Sequence, residues 1–170
     1  MAILAFVGLG SNLASPARQL TRAIAAIAVF PETRLLGVSS FYRSVPIGVA
    51  ARQPDYINAV AAIETSLTAD ALFAALRAVE RTARRRRTGA NAPRSLDLDL
   101  LLYGALQRAG RKLVVPHPRL HLRAFVLRPL LELSPQIAIP GRGRARKFLP
   151  HTRAQNIARS STSPRPTAHT

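Results

Sequence analysis

The order of strand-like and helix-like segments constrains the fold of this chain more than any other feature of its sequence. Short runs rich in apolar and β-branched residues predict strands over residues 3–7, 34–42, 56–65 and 95–103. Apolar residues at helical spacing predict helices over residues 16–29 and from 68 to about 84. A short strand over 113–115 and a third helix over 124–133, interrupted by Pro129, are predicted to follow. The resulting βαββαβ order is that of a ferredoxin-like α+β core with an added C-terminal strand and helix segment.

The length and composition of the chain predict one domain. Its 170 residues, 48% of them hydrophobic, are within the usual size of one globular unit, which we expect to span residues 1–150. Residues 151–170 are basic and lack apolar periodicity, so they are predicted to be a disordered tail. No run approaches the roughly 18 apolar residues that cross a bilayer, and we therefore expect a cytoplasmic protein without a membrane partner.

Positive charge extends along the whole chain and is concentrated near its end. The formal net charge is +17, from 25 Lys and Arg and 8 Asp and Glu residues. Seven basic residues and no acidic residue lie after position 141, which leaves 18 basic against 8 acidic residues, or +10, for residues 1–141. Such a body attracts polyanions, either nucleic acids or the phosphates of nucleotides.

The sharpest local pattern is an alternation of aspartate and leucine. In a strand, Asp97 and Asp99 project from the same face about 7 Å apart, while Leu98 and its leucine neighbours enter the core. Two carboxylates on one face repel each other unless a cation neutralises them, and oxygen ligands favour Mg²⁺. The alternative interpretation is a solvated strand face that is paired with arginine.

Arginines lie just before this acidic pair. Residues 84–87 are four consecutive arginines, and Arg94 follows after a short loop. Phosphoryl transfer needs a metal and cations near the phosphates but no covalent nucleophile from the protein. The chain has no cysteine, and this absence excludes thiolate chemistry and sulfur-ligated zinc. Phosphoryl transfer is compatible with it. The alternative is a solvated helix end at the negative end of its dipole.

Three further polar positions are candidate ligand contacts. His117 lies between two prolines and could donate to a phosphate oxygen, although a single histidine is more often structural. Tyr56 and Asn58 alternate on one strand face, which offers a ring for stacking and an amide that donates and accepts; the alternative is an edge pair that faces water. The GLGSN segment at 8–12 matches neither the dinucleotide-binding fingerprint nor the Walker A loop.

Five segments in the same order resemble the 6-hydroxymethyl-7,8-dihydropterin pyrophosphokinase family of folate biosynthesis. They are GLGSNL at 8–13, SSFYRS at 39–44, QPDYINA at 53–59, APRSLDLD at 92–99 and VPHPR at 115–119. The resemblance covers roughly residues 3–140. It implies a three-layer αβα fold and the transfer of pyrophosphate from ATP to a pterin alcohol with release of AMP. It further implies two Mg²⁺ ions and a monomer.

The resemblance also assigns roles to individual residues. It implies that both metal ions are held by Asp97 and Asp99. The implied catalytic residues are Arg85, Arg94 and Arg123. The implied contacts to ATP come from Glu80, Arg87, Arg94, Lys112, His117 and Arg123. The implied pterin pocket consists of Gly10, Ser44, Val45, Ile47, Tyr56, Asn58 and Phe125.

Some positions depart from the family pattern. Ala90 and Asn91 stand where members can carry a basic residue and a tryptophan, so closure of the 84–91 loop is predicted to differ. Val114 replaces a threonine and Lys112 an arginine on the nucleotide side. Two other hypotheses remain: a catalytically weakened member, or a nucleic-acid binder that uses the basic surface. The second is disfavoured because paired aspartates without metal repel a phosphate backbone.

Overall fold

The computed structural model describes residues 1–12, 15–46, 54–85 and 96–161. Within these ranges it contains ten strands, three α-helices and two 3₁₀ segments. The strands are β1 Ile3–Ser11, β2 Thr33–Val38, β3 Tyr42–Ser44, β4 Tyr56–Thr65, β5 Asp97–Tyr103, β6 Arg108–Ala109, β7 Val114–Val115, β8 Ala138–Ile139, β9 Gly143–Arg144 and β10 Ile157–Arg159. The helices are α1 Pro16–Ala28, α2 Ala69–Arg85 and α3 Ala124–Leu133, and the 3₁₀ segments are Leu120–Leu122 and Ala145–Thr152.

An antiparallel sheet with β4 and β1 at its centre organises the molecule. The pairing order is β10-β3-β4-β1-β5. β2 lies on the same side of β4 as β3 and pairs with the C-terminal half of β4, whereas β3 pairs with its start. β1 pairs with β4 from Ile3↔Thr65 to Ser11↔Ile57, and on its other side with β5. Nearly every residue of β4 is buried, as expected for a central strand that is covered on both faces. The chain is therefore a mixed α/β protein with an antiparallel sheet.

Helices α1 and α2 cover one face of the sheet. Leu20 and Ile27 of α1, which are seven residues apart and therefore share one face of the helix, pack with Leu72 and Leu76 of α2 in the larger hydrophobic cluster. The Ala71 N–H donates to the Thr68 side chain at 3.1 Å, which caps the first turn of α2. Both predicted helices are present, with boundaries within a residue of those expected.

Helix α3 covers the opposite face of the sheet. Its Leu127 and Leu130 pack with Phe6 and Val60 in a second hydrophobic cluster. The predicted interruption at Pro129 is wrong, because α3 continues through this residue. Proline removes one helical hydrogen bond, but Pro129 is itself buried, and packing on both of its sides keeps the helix continuous. Within the described ranges, no helix has the length and apolar character that crossing a membrane requires.

The predicted strand over residues 34–42 is two strands in the structure. β2 contains a bulge between Leu35 and Gly37, and β3 begins only at Tyr42. Between them, the Ser39 N–H donates to the Val60 carbonyl and the Val60 N–H donates to Ser39 Oγ, both at 2.9 Å. The serine side chain takes over one position of the β4 ladder, which ends one strand and starts the next.

The C-terminal segment extends the sheet. Strand β10 pairs with β3 from Ile157↔Ser44 to Arg159↔Tyr42. The prediction of a disordered tail from residue 151 is therefore wrong for residues 151–161, and residues 162–170 lie outside the described ranges. Backbone pairing along an open sheet edge orders this segment, and such pairing does not require apolar periodicity in the sequence.

Candidate active site

A cleft of about 520 Å³ lies on the α3 side of the sheet. Its walls come from the ends of β1, β3, β4 and β5 and from the segment that leads into α3. The lining residues are Gly8, Leu9, Gly10, Ser44, Val45, Pro46, Tyr56, Asn58, Ala59, Asp97, Asp99, Leu101, Arg119, Leu122, Arg123, Phe125, Val126 and Gln155. The cleft thus unites most of the described residues that the sequence assigns to a site.

The two aspartates line one end of this cleft. They alternate along β5 with Leu98 and Leu100, which are buried, as the strand pattern predicts. The Asp99 side chain is 41% exposed; its Oδ1 lies 3.9 Å from Arg77 Nη2, and its Oδ2 lies 4.0 Å from His117 Nε2. Among the described residues, no group of three or more His, Cys, Asp or Glu forms a metal cluster. Two carboxylates fit Mg²⁺, which binds one or two of them and completes its shell with water and substrate phosphate.

An ion pair between a buried glutamate and a half-buried arginine braces β5 beneath the acidic pair. Glu80 of α2 is 5% exposed and accepts the Leu98 N–H at 2.7 Å, while its other oxygen lies 2.8 Å from Arg77 Nη1. Burial raises the pKa of Glu80, and the Leu98 N–H and Arg77 oppose this shift. Arg77 also donates to the Leu98 carbonyl. Sequence reasoning missed Arg77, although its position three residues before Glu80 on a helix is a usable signal.

Two hydrogen bonds hold His117 in place, one through its backbone and one through its ring. The backbone N–H of His117 donates to the Leu101 carbonyl at 2.9 Å, and its ring Nδ1 accepts the backbone N–H of Arg119 at 3.2 Å. In the neutral imidazole the proton is therefore on Nε2, the atom that faces Asp99. Burial lowers the pKa of His117; the carboxylate of Asp99 opposes this shift, and Arg123 and Arg119 add to it. The ring is a neutral donor near neutral pH.

The opposite end of the cleft combines buried polar groups with aromatic rings. Asn58 and Ser44 are each 5% exposed, and Asn58 Nδ2 donates to Ser44 Oγ at 2.7 Å. A Cβ at Gly10 would lie 3.1 Å from Asn58 Oδ1, so the glycine leaves room beside that oxygen. The Phe125 and Tyr56 rings, both half-buried, line the same space. This end suits a flat ligand with a polar edge.

Arg123 lies at the start of α3 and lines the cleft. Its guanidinium carbon is 5.5 Å from the centre of the Phe125 ring, within cation–π range. Burial lowers the pKa of Arg123; Asp99 opposes that shift, Arg119 adds to it, and Asp97 opposes it. The residue is thus electrostatically linked to both aspartates.

The remaining predicted residues lie elsewhere or outside the described ranges. Lys112 is exposed in the turn between β6 and β7 and is not part of the cleft wall. Arg87, Arg94 and Ile47 fall outside the described residues, as does the side chain of Arg85. The sequence reasoning also missed Gln155, which lies in the segment that was assigned to a disordered tail. No pattern in that segment could have identified it.

Comparison with known proteins places this chain among transferases of the pyrophosphokinase class. The family model for 7,8-dihydro-6-hydroxymethylpterin-pyrophosphokinase (HPPK) matches residues 6–135, and the chain belongs to this family. It is 43% identical to 2-amino-4-hydroxy-6-hydroxymethyldihydropteridine pyrophosphokinase of Haemophilus influenzae over 138 residues, which is 81% of this chain and 86% of that protein. It is 45% identical to the Pseudomonas aeruginosa protein of the same name, over 79% of this chain and 83% of that protein.

Solved structures support the fold. A crystal structure of HPPK-DHPS in complex with substrates superposes with a TM-score of 0.69 at 10% sequence identity and covers 86% of this chain. This chain spans only 42% of that solved chain. At such low identity the likeness concerns the fold alone, whereas the family assignment rests on the sequence matches.

Proposed function

We propose that this protein transfers the β,γ-pyrophosphoryl group of ATP to the hydroxymethyl oxygen of 6-hydroxymethyl-7,8-dihydropterin. The alcohol oxygen forms a bond to the β-phosphorus while the bond between that phosphorus and the oxygen leading to the α-phosphate breaks. AMP leaves, and the alcohol proton passes to solvent. The observation that carries the proposal is one cleft with paired carboxylates at one end and a polar–aromatic pocket at the other.

The acidic end of the cleft is the proposed phosphate end. Asp97 and Asp99 would hold Mg²⁺, two ions in the complete site, and Mg²⁺ when bound neutralises charge on the phosphate oxygens. The Glu80–Arg77 pair keeps β5 in place by holding the backbone of Leu98 from α2. The aspartates therefore project from a strand whose position is fixed before any ligand binds.

Cations surround the path of the pyrophosphoryl group. Arg123 lines the cleft and can stabilise charge that develops on the transferred group, and neutral His117 can donate from Nε2 to a phosphate oxygen. Arg119 supplies a further charge at the same wall. We include Arg85 and Arg94 as proposed catalytic residues. Glu80, Arg87 and Lys112 complete the proposed nucleotide side, although both carboxylate oxygens of Glu80 already have protein partners.

The opposite end of the cleft is the proposed pterin pocket. Phe125 and Tyr56 would stack on the ring, and the Oδ1 of Asn58 would accept from its polar edge. The Nδ2 of Asn58 already donates to Ser44, so the amide orientation is set before the pterin arrives. Val45 and Ile47 complete the proposed pocket, and Gly10 leaves space beside Asn58.

We further propose a ferredoxin-like layout for the core and a single catalytic unit that acts as a monomer. The order of β3, β4, β1 and β5 in the sheet supports this layout. The helices α1 and α2 pack on one face and α3 on the other, which supports the three-layer arrangement. Because β10 pairs with β3, the proposed unit includes residues up to 161.

A coupled assay for AMP tests the proposed reaction. With ATP, Mg²⁺ and the pterin alcohol, the wild type should form AMP at a pterin-dependent rate. Asp97→Asn and Asp99→Asn should each lower kcat by about 100-fold or more, because each removes charge from the metal site while preserving shape. Chelation of Mg²⁺ should abolish activity, and its return should restore it.

A matched control separates a site effect from a general loss of negative charge. Asp70 lies exposed on α2 and pairs with Arg108 at 2.8 Å, away from the cleft. Asp70→Asn should keep kcat within about twofold of the wild type, since exposed ion pairs contribute little. Folded wild-type protein that forms no AMP in response to the pterin would rule out the proposed reaction.

A further inference from the structure

Gln155 joins the C-terminal segment to the wall of the cleft. It follows the second 3₁₀ segment and precedes β10, and its N–H donates to the Thr152 carbonyl at 3.0 Å. On its other side, the Val45 N–H donates to the Asn156 carbonyl at 3.4 Å, and the Ser160 N–H donates to the Phe41 carbonyl at 2.7 Å. Gln155 is therefore held by backbone bonds, and it lies 20 residues beyond the part of the chain that the family model matches.

The side-chain amide of Gln155 bonds to the backbone on both sides of Arg123. Its Oε1 accepts the Ala124 N–H at 2.8 Å, and its Nε2 donates to the Leu122 carbonyl at 2.7 Å. A single amide thus holds the two peptide groups that flank one residue. Because an amide carries one acceptor and two donors in a fixed plane, both bonds together restrict the backbone direction at Arg123.

The start of α3 needs such a partner. The first N–H groups of a helix have no intrahelical acceptor and are usually satisfied by a neighbouring Ser, Thr, Asp or Asn. Here the N-cap is Arg123, in an extended conformation and without a side-chain cap bond. Instead, the side chain of Gln155, 31 residues away along the chain, accepts the Ala124 N–H as a local cap would. Two residues of the cleft wall, Arg123 and Phe125, immediately flank Ala124.

We propose that Gln155 is a positioning residue that fixes Arg123 and Phe125 for the reaction through these two backbone hydrogen bonds. The proposal rests on the pyrophosphoryl transfer proposed above. It places a determinant of substrate binding in the C-terminal segment, beyond the matched residues. Gln155 itself lines the cleft, but its amide bonds to Leu122 and Ala124, so its effect is transmitted through Arg123 and Phe125.

Gln155→Met tests the proposal with a side chain of similar length and no amide. We expect kcat/KM for the pterin to fall by about tenfold, through a lower kcat where Arg123 is displaced and a higher KM where Phe125 is displaced, because two backbone hydrogen bonds are lost next to the pocket. Gln19→Met is the matched control. Gln19 is also half-buried but lies on α1, on the opposite face of the sheet, and its variant should keep wild-type kinetics.

A double-mutant cycle separates positioning from a general structural role. In an Arg123→Ala background, Gln155→Met should change the kcat for pyrophosphoryl transfer by less than about twofold, because the guanidinium that it positions is absent. In a Phe125→Ala background it should likewise change KM for the pterin by less than about twofold. A purely structural role predicts a lower melting temperature and the same kinetic penalty in every background.

Hydrogen exchange provides a readout that does not depend on activity. The Ala124 amide should exchange faster in Gln155→Met than in the wild type, without substrate, while amides in the centre of β4 remain unchanged. An unchanged Ala124 amide would overturn the proposal whether or not the protein is active. An active wild type with unchanged KM in Gln155→Met would also overturn it. Wild-type protein without pterin-dependent AMP formation would instead contradict the proposed reaction, so the two failures are distinguishable.

Discussion

Glu80 and Asp99 are two carboxylates near the same part of β5 that differ in role. Glu80 is buried and bonded to the Leu98 N–H and to Arg77, whereas the Asp99 side chain is 41% exposed and faces the cleft. A carboxylate whose oxygens already have partners braces the structure, while one that faces solvent is available to a ligand. The sequence assigns both to a site, and their surroundings distinguish the two roles.

Gly10 is a residue at which one added methyl group should weaken pterin binding without disturbing the fold. A Cβ there would lie 3.1 Å from Asn58 Oδ1, closer than an ordinary contact, so Gly10→Ala should displace the Asn58 amide in the proposed pterin pocket. We expect KM for the pterin to rise by about tenfold with kcat nearly unchanged, which steady-state kinetics would measure.

Gly37→Ala is the control for this prediction. A Cβ at Gly37 would lie 3.7 Å from Leu133 Cδ2, an ordinary van der Waals contact on β2 and away from the cleft. This variant should leave KM for the pterin unchanged. An equal rise of KM in both variants would mean that Asn58 is not displaced specifically and would contradict the assignment of Gly10 to the pocket.

At the scale of elements, Glu132 ties α3 to β3 and β10. Its carboxylate accepts from the Ser40 N–H at 2.8 Å, from Ser40 Oγ at 2.7 Å and from the Tyr42 hydroxyl at 2.5 Å, and it lies 3.7 Å from Arg159 Nη2. Burial raises the pKa of Glu132, but the hydrogen bonds from Tyr42 and Ser40 and the charge of Arg159 together lower it by more. The net pKa is therefore below 4.5. The ionised form therefore stabilises the folded state.

Glu132→Gln should remove a pH-dependent part of stability. A lowered folded-state pKa contributes stability that is present above 4.5 and is lost as pH falls through the folded value. We expect the variant to be about 1–3 kcal/mol less stable at neutral pH, because charged hydrogen bonds are lost. This difference should shrink about one pH unit below 4.5, as measured by urea unfolding at both pH values.

Glu64→Gln is the matched control at the element scale. Glu64 on β4 pairs with Arg34 on β2 at 2.9 Å, with side chains 41% and 72% exposed. This variant should change the free energy of unfolding by less than about 1 kcal/mol, because exposed ion pairs contribute little. A stability difference between the wild type and Glu132→Gln that is the same at both pH values would contradict the role of the carboxylate charge.

At the scale of the whole molecule, the net charge of +17 should affect the two substrates differently. ATP is a polyanion that the positive field attracts, whereas the pterin alcohol is neutral. We expect kcat/KM for ATP to fall severalfold between about 50 mM and about 300 mM KCl, because salt shortens the range of the field. The same salt series with the pterin varied should change kcat/KM little. Equal losses for both substrates would indicate a general salt effect on the protein.

Local periodicity determined much of the fold in advance. The alternation of Asp97 and Asp99 with buried leucines, the helices α1 and α2 and the strands β1, β4 and β5 follow from side-chain spacing, which depends only on backbone geometry. The five motif segments likewise identified the family. In these parts of the chain, the local pattern and the tertiary packing favour the same structure.

Tertiary structure alone decided the features that depend on distant partners. The division of β2 from β3 depends on Ser39 bonding to Val60, and the order of β10 depends on an open edge of β3. Gln155 contacts residues more than 30 positions away. The sequence by itself determined which side chains share a face. The burial of Glu80 and the exposure of Asp99 were decided only when separate elements packed, because hydrogen bonding and desolvation depend on neighbours that no local pattern specifies.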